Sequence, residues 1–238
     1  MSYAFNFGAS GLYRALEPAL QKALDAAGGV THYRDGQHMQ SRGDTTRGFS
    51  IIKSGAVCFG KTDEDGRFIA VATQGEGQCY GEFTLFAGLP RTHDGYAVGD
   101  TVVSHISKAN FDRLMAAEPT LAGAIITSLT MQLHRVLEWT DDLQRYPLKY
   151  RLGKTLLQLK ADSGAHAKNG ITITQSQFAD LMGVSRVAVA QVLAAYKKLG
   201  FVETKYGGIK IVNAEAFKNW LQAFVQVEPV DSQSPYKQ

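Results

Sequence analysis

The chain has 238 residues, 45% of them hydrophobic and 20% charged, with a formal net charge of +3, the profile of one large or two modest globular domains. No run approaches the ~18 apolar residues of a membrane span, and "MSYAFNFGASGLYRALEPAL" lacks the basic leader and apolar core of a secretory signal, so the expectation is a cytoplasmic protein with no membrane partner. Cys58 and Cys79 form no CxxC pair, which argues against a disulfide framework or a zinc ribbon and for two reduced core thiols.

From Val30 to about Ile106 the chain shows short β-type runs broken by glycine. Phe49–Lys53 and Ala56–Lys61 read as two strands, followed by the turn Asp63-Glu64-Asp65-Gly66 and a third strand, Arg67–Thr73. Asp-Gly between two such runs is a hairpin signal, because glycine supplies the positive φ of a tight turn. Strands at this spacing predict a small antiparallel sandwich or barrel.

Two helical patterns follow. Asn110–Ala117 is short and stops at Glu118-Pro119, whereas Thr120 to about Arg145 is long. Ile125, Leu129, Gln132, Val136, Trp139 and Leu143 fall at heptad spacing. Ile126, Leu133 and Leu137 make a second apolar row beside it. Two rows suit a helix covered on one side by its own sheet and on the other by a second subunit, with Leu129 and Val136 expected in the subunit seam. The alternative is a helix packed on its own sheet alone. Pro147 ends the pattern.

The charge is placed unevenly. Residues 1–146 carry 13 basic against 16 acidic side chains, residues 147–225 carry 11 against 4, and the tail 226–238 carries 1 against 2. A basic block beside a slightly acidic one predicts that the C-terminal part meets a polyanion. Within it, Thr174 with Gln177 three residues on reads as a capping box, and a first helix ends near Met182. Gly183 then supplies a left-handed turn, Ser185 caps a second helix, and Gly200 ends it. Strand Phe201–Thr204, the turn "KYGG" and strand Ile209–Val212 complete a helix-turn-helix with a β-wing.

In the second helix Val189, Val192, Leu193 and Tyr196 form the buried face. Val187, Gln191 and Ala194 lie opposite, Ala190 lies to one side, and Arg186 sits in the first turn. Small outward residues let a helix approach the floor of the major groove of double-stranded DNA. There Arg186 can bridge guanine O6 and N7, Val187 or Ala190 can meet a thymine methyl, and Gln191 can read adenine.

With these motifs the chain resembles the cyclic-AMP receptor protein/FNR family of bacterial transcription regulators, over nearly its whole length. "GVSRVAVAQVL" resembles the recognition-helix motif, with Ser185 and Arg186 as its first-turn pair. "GEFTLFAGLPRT" resembles the family's phosphate-binding cassette, with Gly81, Glu82, Arg91 and Thr92 at the matching places. The resemblance implies an α+β chain: an N-terminal β-roll of the cyclic-nucleotide-binding jelly-roll type (1–118), a dimerisation helix (119–146), a C-terminal winged helix-turn-helix (147–225) and a tail (226–238). It implies a homodimer, RNA polymerase as a partner, and a cyclic nucleotide effector held by Arg91 and Thr92 at the phosphate and Glu82 at the ribose.

The cassette also departs from the family. His93 and Asp94 follow the Arg-Thr pair where a small residue is usual. A carboxylate there opposes a bound phosphate, or pairs with Arg91 and blocks it. "LHRVLEWT" presents no adjacent Thr-Ser pair to a base. The cassette therefore also reads as a structural turn in a relative that binds no nucleotide, and a nucleotide-binding module acting through a protein partner is the alternative function. Val187 and Gln191 stand where the cyclic-AMP receptor has acidic and basic residues, so its operator does not carry over. Two cysteines are too few for an iron–sulfur cluster. Six scattered histidines, His93 among them, give no haem or metal pattern. Cys58 sits in a strand pattern, unlike an exposed redox thiol. No catalytic constellation is present, so the expectation is a protein that is not an enzyme.

Overall fold

The structure, a computed structural model, describes residues 12–162, 171, 173–205 and 208–225. The expected tail 226–238 and Tyr206-Gly207 of the expected "KYGG" turn lie outside them.

Two short helices, α1 (Leu12–Ala15) and α2 (Pro18–Ala27), precede a six-stranded antiparallel sheet. Its strands are β1 (Gly29–Tyr33), β2 (His38–Gln40), β3 (Gly48–Thr62), β4 (Phe68–Gly75), β5 (Cys79–Tyr80) and β6 (Asp94–Ser107), with helix α3 (Glu82–Ala87) between the last two. The order is β1-β6-β3-β4; β2 also pairs with β6, and β5 with β3.

The two strands expected over Phe49–Lys53 and Ala56–Lys61 are one bent strand, β3. Its register against β6 shifts on both sides of Ser54. At the bend Gly55 has φ +76°, and a Cβ there would stand 2.6 Å from the Asp100 carbonyl oxygen. The glycine read as a break is therefore a bulge, which redirects the strand and lets it pair along most of its length.

Side chains alternate across the sheet. Phe49, Ile51 and Ile106 join Leu24, Leu85, Phe111, Leu121 and Ile125 in a core between sheet and helices. Ile52, Val57, Phe59, Tyr80 and Val103 fill the inside of the roll. Both cysteines are buried, and burial pushes both thiols up.

Helix α4 (Lys108–Ala117) is capped by Ser107, whose hydroxyl accepts from the Asn110 N–H. The long helix α5 (Thr120–Arg145) follows. The two rows of α5 have different surroundings. Ile125 is in the core and Leu129 packs against it. Ile126, Leu133 and Leu137 are 63%, 59% and 59% exposed. The heptad row expected at the seam is thus covered in its first half by the protomer's own core, while in its second half Val136 and Leu143 are 40% and 38% exposed, beside the second row, which is uncovered along its length. The reason is the 3.6-residue turn, which sets Ile125 and Ile126 about 100° apart.

A second compact unit is built from α6 (Leu148–Asp162), α8 (Arg186–Lys198), β7 (Val202–Lys205), β8 (Gly208–Ile211) and α9 (Ala214–Gln222). Between α6 and α8 lies α7 (Gln175–Met182). Tyr196 on α8 is fully buried, its ring 4.8 Å from Phe217 and 5.8 Å from Trp220, and its hydroxyl donates to the Lys149 carbonyl. Ile171 exchanges two backbone hydrogen bonds with Ile209 on β8.

Candidate nucleic-acid interface and sensor cavity

Glycine and serine set the geometry on either side of the turn before α8. At the end of α7 the Gly183 N–H reaches the Asp180 carbonyl at 3.2 Å and the Val184 N–H reaches the Ala179 carbonyl at 3.0 Å. This bond pair is a Schellman motif, and it needs the left-handed residue that Gly183 provides at φ +63°. Ser185 then accepts from the Ala188 N–H at 3.2 Å, capping α8. Gly200, at φ +75°, closes α8 in the same way: its N–H bonds the Lys197 carbonyl, and the Phe201 N–H bonds that of Tyr196.

Val189, Leu193 and Tyr196 are buried as the helical period requires, and Val192 is half-buried. Ser185, Arg186, Gln191 and Ala194 are exposed, Val187 is 65% exposed, and Ala190 is half-buried at the edge of the outward face. Among the described residues no carboxylate forms an ion pair with Arg186. The wing adds Lys205 and Lys210, with Glu203 4.0 Å from Lys210. A helix face with one guanidinium, one amide and small apolar neighbours can offer donors and methyl contacts to base edges.

Of the cassette residues, Gly81, Glu82 and Arg91 meet at the start of α3. Gly81 caps α3 in the left-handed region at φ 110°. A Cβ there would meet the Gly48 carbonyl oxygen at 2.3 Å and an Arg91 guanidinium nitrogen at 3.1 Å, so only glycine admits both neighbours. Glu82 is half-buried; burial pushes its carboxyl up to about 7, while Arg91 pulls the other way. The Arg91 guanidinium lies 5.8 Å from the centre of the Tyr80 ring. Thr92 is exposed, its hydroxyl 2.8 Å from His93 Nδ1.

The pairing expected as one alternative between Asp94 and Arg91 is replaced by another. Asp94 accepts from the Arg42 backbone N–H at 2.9 Å, so its carboxylate is held at a neighbouring loop. The acid that acts on Arg91 together with Glu82 is Asp44, held below the usual carboxylate range mainly by hydrogen bonds from Thr46 and also by Arg91.

Beside Arg91 the roll holds a cavity of about 370 Å³, lined among others by Met39, Gln40, Phe49, Ser50, Tyr80 and His105. Of the four cassette residues, Arg91 lines it; Gly81, Glu82 and Thr92 do not. Ser50 Oγ lies 2.9 Å from His105 Nδ1, and the Tyr33 hydroxyl 3.0 Å from His105 Nε2. Burial first and Arg91 second push His105 down, so the ring is neutral at pH 7, with one nitrogen donating and the other accepting. Burial pushes the Tyr80 phenol up.

Sequence reasoning missed Ser50, His105, Tyr33, Tyr80 and Gln40. The available signal was Ser50, a small polar residue at an inward position of β3 between apolar neighbours. Nothing local ties it to His105, 55 residues away.

Comparisons with known proteins agree with this layout. A family model described as the cyclic nucleotide-binding domain matches residues 30–118, and a Crp-like helix-turn-helix domain matches residues 150–220. The chain is 24% identical over 210 residues to the CRP-like cAMP-activated global transcriptional regulator of Mycobacterium tuberculosis, spanning 87% of this chain and 94% of the relative. It is 27% identical over 164 residues to the cAMP-activated global transcriptional regulator Vfr of Pseudomonas aeruginosa, spanning 66% and 76%. The solved structure of the c-di-GMP responsive global regulator CLP of Xanthomonas campestris aligns with a TM-score of 0.69 at 19% identity, over 83% of this chain and 100% of that one. The chain belongs to the cyclic-AMP receptor protein/FNR family of DNA-binding transcription regulators, a cyclic-nucleotide-binding-type roll joined to a Crp-like helix-turn-helix.

Proposed function

We propose that the protein is a homodimeric, sequence-specific regulator whose DNA binding is gated by a small effector in the roll, and that it works in the cytoplasm without enzymatic activity. The sensor is residues 1–118, the dimer helix 119–146 and the DNA-binding part 147–225. One observation carries the reading: the Ser185-capped helix α8 turns Arg186, Val187 and Gln191 outward between a glycine turn and a basic wing. Dimerisation draws on the uncovered row Ile126, Leu133 and Leu137. Effector gating draws on the cavity at Arg91 and on the relatives that are named as cAMP-activated. RNA polymerase as a partner rests on family membership.

The test is selection of random duplexes at fixed salt by the full chain, by Arg186→Ala and by Lys197→Ala. Arg186 supplies a bidentate base contact, so its loss removes ~1–3 kcal/mol of discrimination and relaxes preference at one position of each half-site. Lys197 lies late in the helix, near phosphates or solvent, so Lys197→Ala weakens binding to all sequences about equally or leaves it unchanged. Unchanged base preference in the Arg186 variant would remove that residue as reader and leave Gln191 in its place.

A further inference from the structure

The helical period gives α5 a third face besides its core row and its uncovered row. Ala124, Thr127, Ser128, Met131 and Arg135 share it, at i, i+3, i+4, i+7 and i+11. Helix α1 lies over this face, and a groove of about 280 Å³ separates the two, lined on the α1 side by Leu12, Ala15 and Leu16. The groove stays open because the facing side chains of Ala15, Ala124 and Ser128 are too short to fill it. Leu12 and Leu16 are buried in the core between sheet and helices, which fixes the α1 wall, whereas Met131 is 48% exposed. The groove shares no lining residue with the roll cavity. Met131 and Arg135 each stand two residues from Leu133, about 160° round the helix, so a partner on the uncovered row leaves the groove free.

Its polar groups narrow the occupant. Thr127 spends its hydroxyl on the Gly123 carbonyl at 2.9 Å. Arg135 is half-buried, and among the described residues it forms no ion pair and no hydrogen bond. Glu138, three residues on, instead lies 3.9 Å from His134. Residues 1–11, which precede Leu12, contain no Asp or Glu, so the start of the chain brings Arg135 no counter-charge. A guanidinium offers a fork of donors to a carboxylate, and the apolar walls beside it gain by taking methylene groups out of water. At about 30 Å³ of liquid volume per water-sized group, the groove takes roughly nine or ten heavy atoms.

We propose that this groove is a second ligand site, outside the roll, for a medium-chain aliphatic carboxylate, with the head group on Arg135 and the tail against Leu12, Leu16 and Met131. The inference goes beyond the function argued above, since neither α8 nor the cavity at Arg91 takes part in it. A bound chain ties α1 to the long helix on the side turned away from Ile126, Leu133 and Leu137.

The experiment is calorimetry on the full chain, backed by thermal melts, with three ligands: octanoate, octanamide and acetate. Octanoate is expected to bind. Octanamide keeps the tail and loses the charge, and should bind about tenfold or more weaker, because hydrogen bonds between charged groups are the stronger kind. Acetate keeps the charge and loses most of the tail, and should bind about a hundredfold or more weaker. Arg135→Gln should bring octanoate and octanamide within about twofold of each other. Ala15→Leu, a change at an exposed residue of α1, puts a side chain into the groove and should weaken both about tenfold. Equal affinity of octanoate and octanamide for the wild-type chain would overturn the proposal, as would a gap that survives Arg135→Gln or an affinity indifferent to Ala15→Leu. Octanoate binding that is lost in Arg91→Ala but kept in Arg135→Gln would put the ligand in the roll and overturn it as well. So would neither heat nor a rise in melting temperature with any of the three. The wild-type comparison needs no variant, so a poorly folded Arg135→Gln does not rescue the idea.

Discussion

Replacing Leu133 with Asp should split the dimer, whereas replacing Leu129 with Asp should instead destabilise the fold. Full burial of a Leu or Ile side chain is worth about 1.5–3 kcal/mol. Ile126, Leu133 and Leu137 keep more than half of their surface in water within one protomer. Each therefore has about 1–1.5 kcal/mol left to gain, or roughly 6–9 kcal/mol across two protomers. That sum is of the same order as the cost of association, about 4–15 kcal/mol, so few contacts can be lost. Leu133→Asp removes about 2–3 kcal/mol from the pair and adds two desolvated carboxylates on one seam. A total near 4 kcal/mol raises Kd about a thousandfold. Leu129, by contrast, packs on the core that contains Ile125 and Phe111. Sedimentation velocity over a concentration series, with thermal melts of each variant, separates the cases. A Leu133→Asp protein that remains dimeric while Leu129→Asp gives folded monomers would refute the reasoning and return the seam to the first row.

Two further outcomes concern stability. Burial raises the Glu82 carboxyl from its ordinary 4.5 to about 7. The folded state then holds the proton more tightly than the unfolded state, so stability is greatest below about 4.5, falls as pH rises towards 7, and stays low above it. The loss is at most about 3 kcal/mol, and Glu82→Gln should remove this slope and be the more stable protein at pH 8 in urea melts. Gly153→Ala should lower the melting temperature although alanine is the better helix former, because a Cβ there would stand 2.8 Å from Leu221, 2.9 Å from the Tyr196 hydroxyl and 3.0 Å from Phe217. Overpacking of this kind costs about 1–3 kcal/mol, more than the ~0.5–1 kcal/mol of helix propensity gained; a rise in melting temperature would contradict it.

The DNA-binding part was readable because its signals are local. Gly183, Ser185 and Gly200 each act within one turn of themselves, and the structure places a helix end, a cap and a second helix end at those positions. The roll was less readable. Strand β6 pairs with β1, whose Tyr33 lies opposite Thr101, and no local pattern sets a register at that distance. Gly55 shows the converse: a glycine looks the same in sequence whether it ends a strand or bends one, and the close approach of Asp100 and Thr101, which leaves no room for a Cβ, is set by residues about 45 positions away. On α5 the period revealed two apolar rows but not which one the protomer covers, since that depends on where the helix meets the sheet. Arg91 was found through its motif, whereas its cavity neighbours Gln40 and His105 come together only when β2, β3 and β6 assemble.

The central claim, that two copies of α8 read DNA together, is tested most directly by the sequence symmetry of duplexes selected by the wild-type chain from a random pool. A twofold-related pair of recognition helices predicts enriched sites made of two inverted half-sites about 34 Å apart, one helical turn of DNA, protected on one face in footprinting. Enrichment of a single unrepeated half-site, or no enrichment beyond what salt-dependent phosphate binding gives, would contradict it.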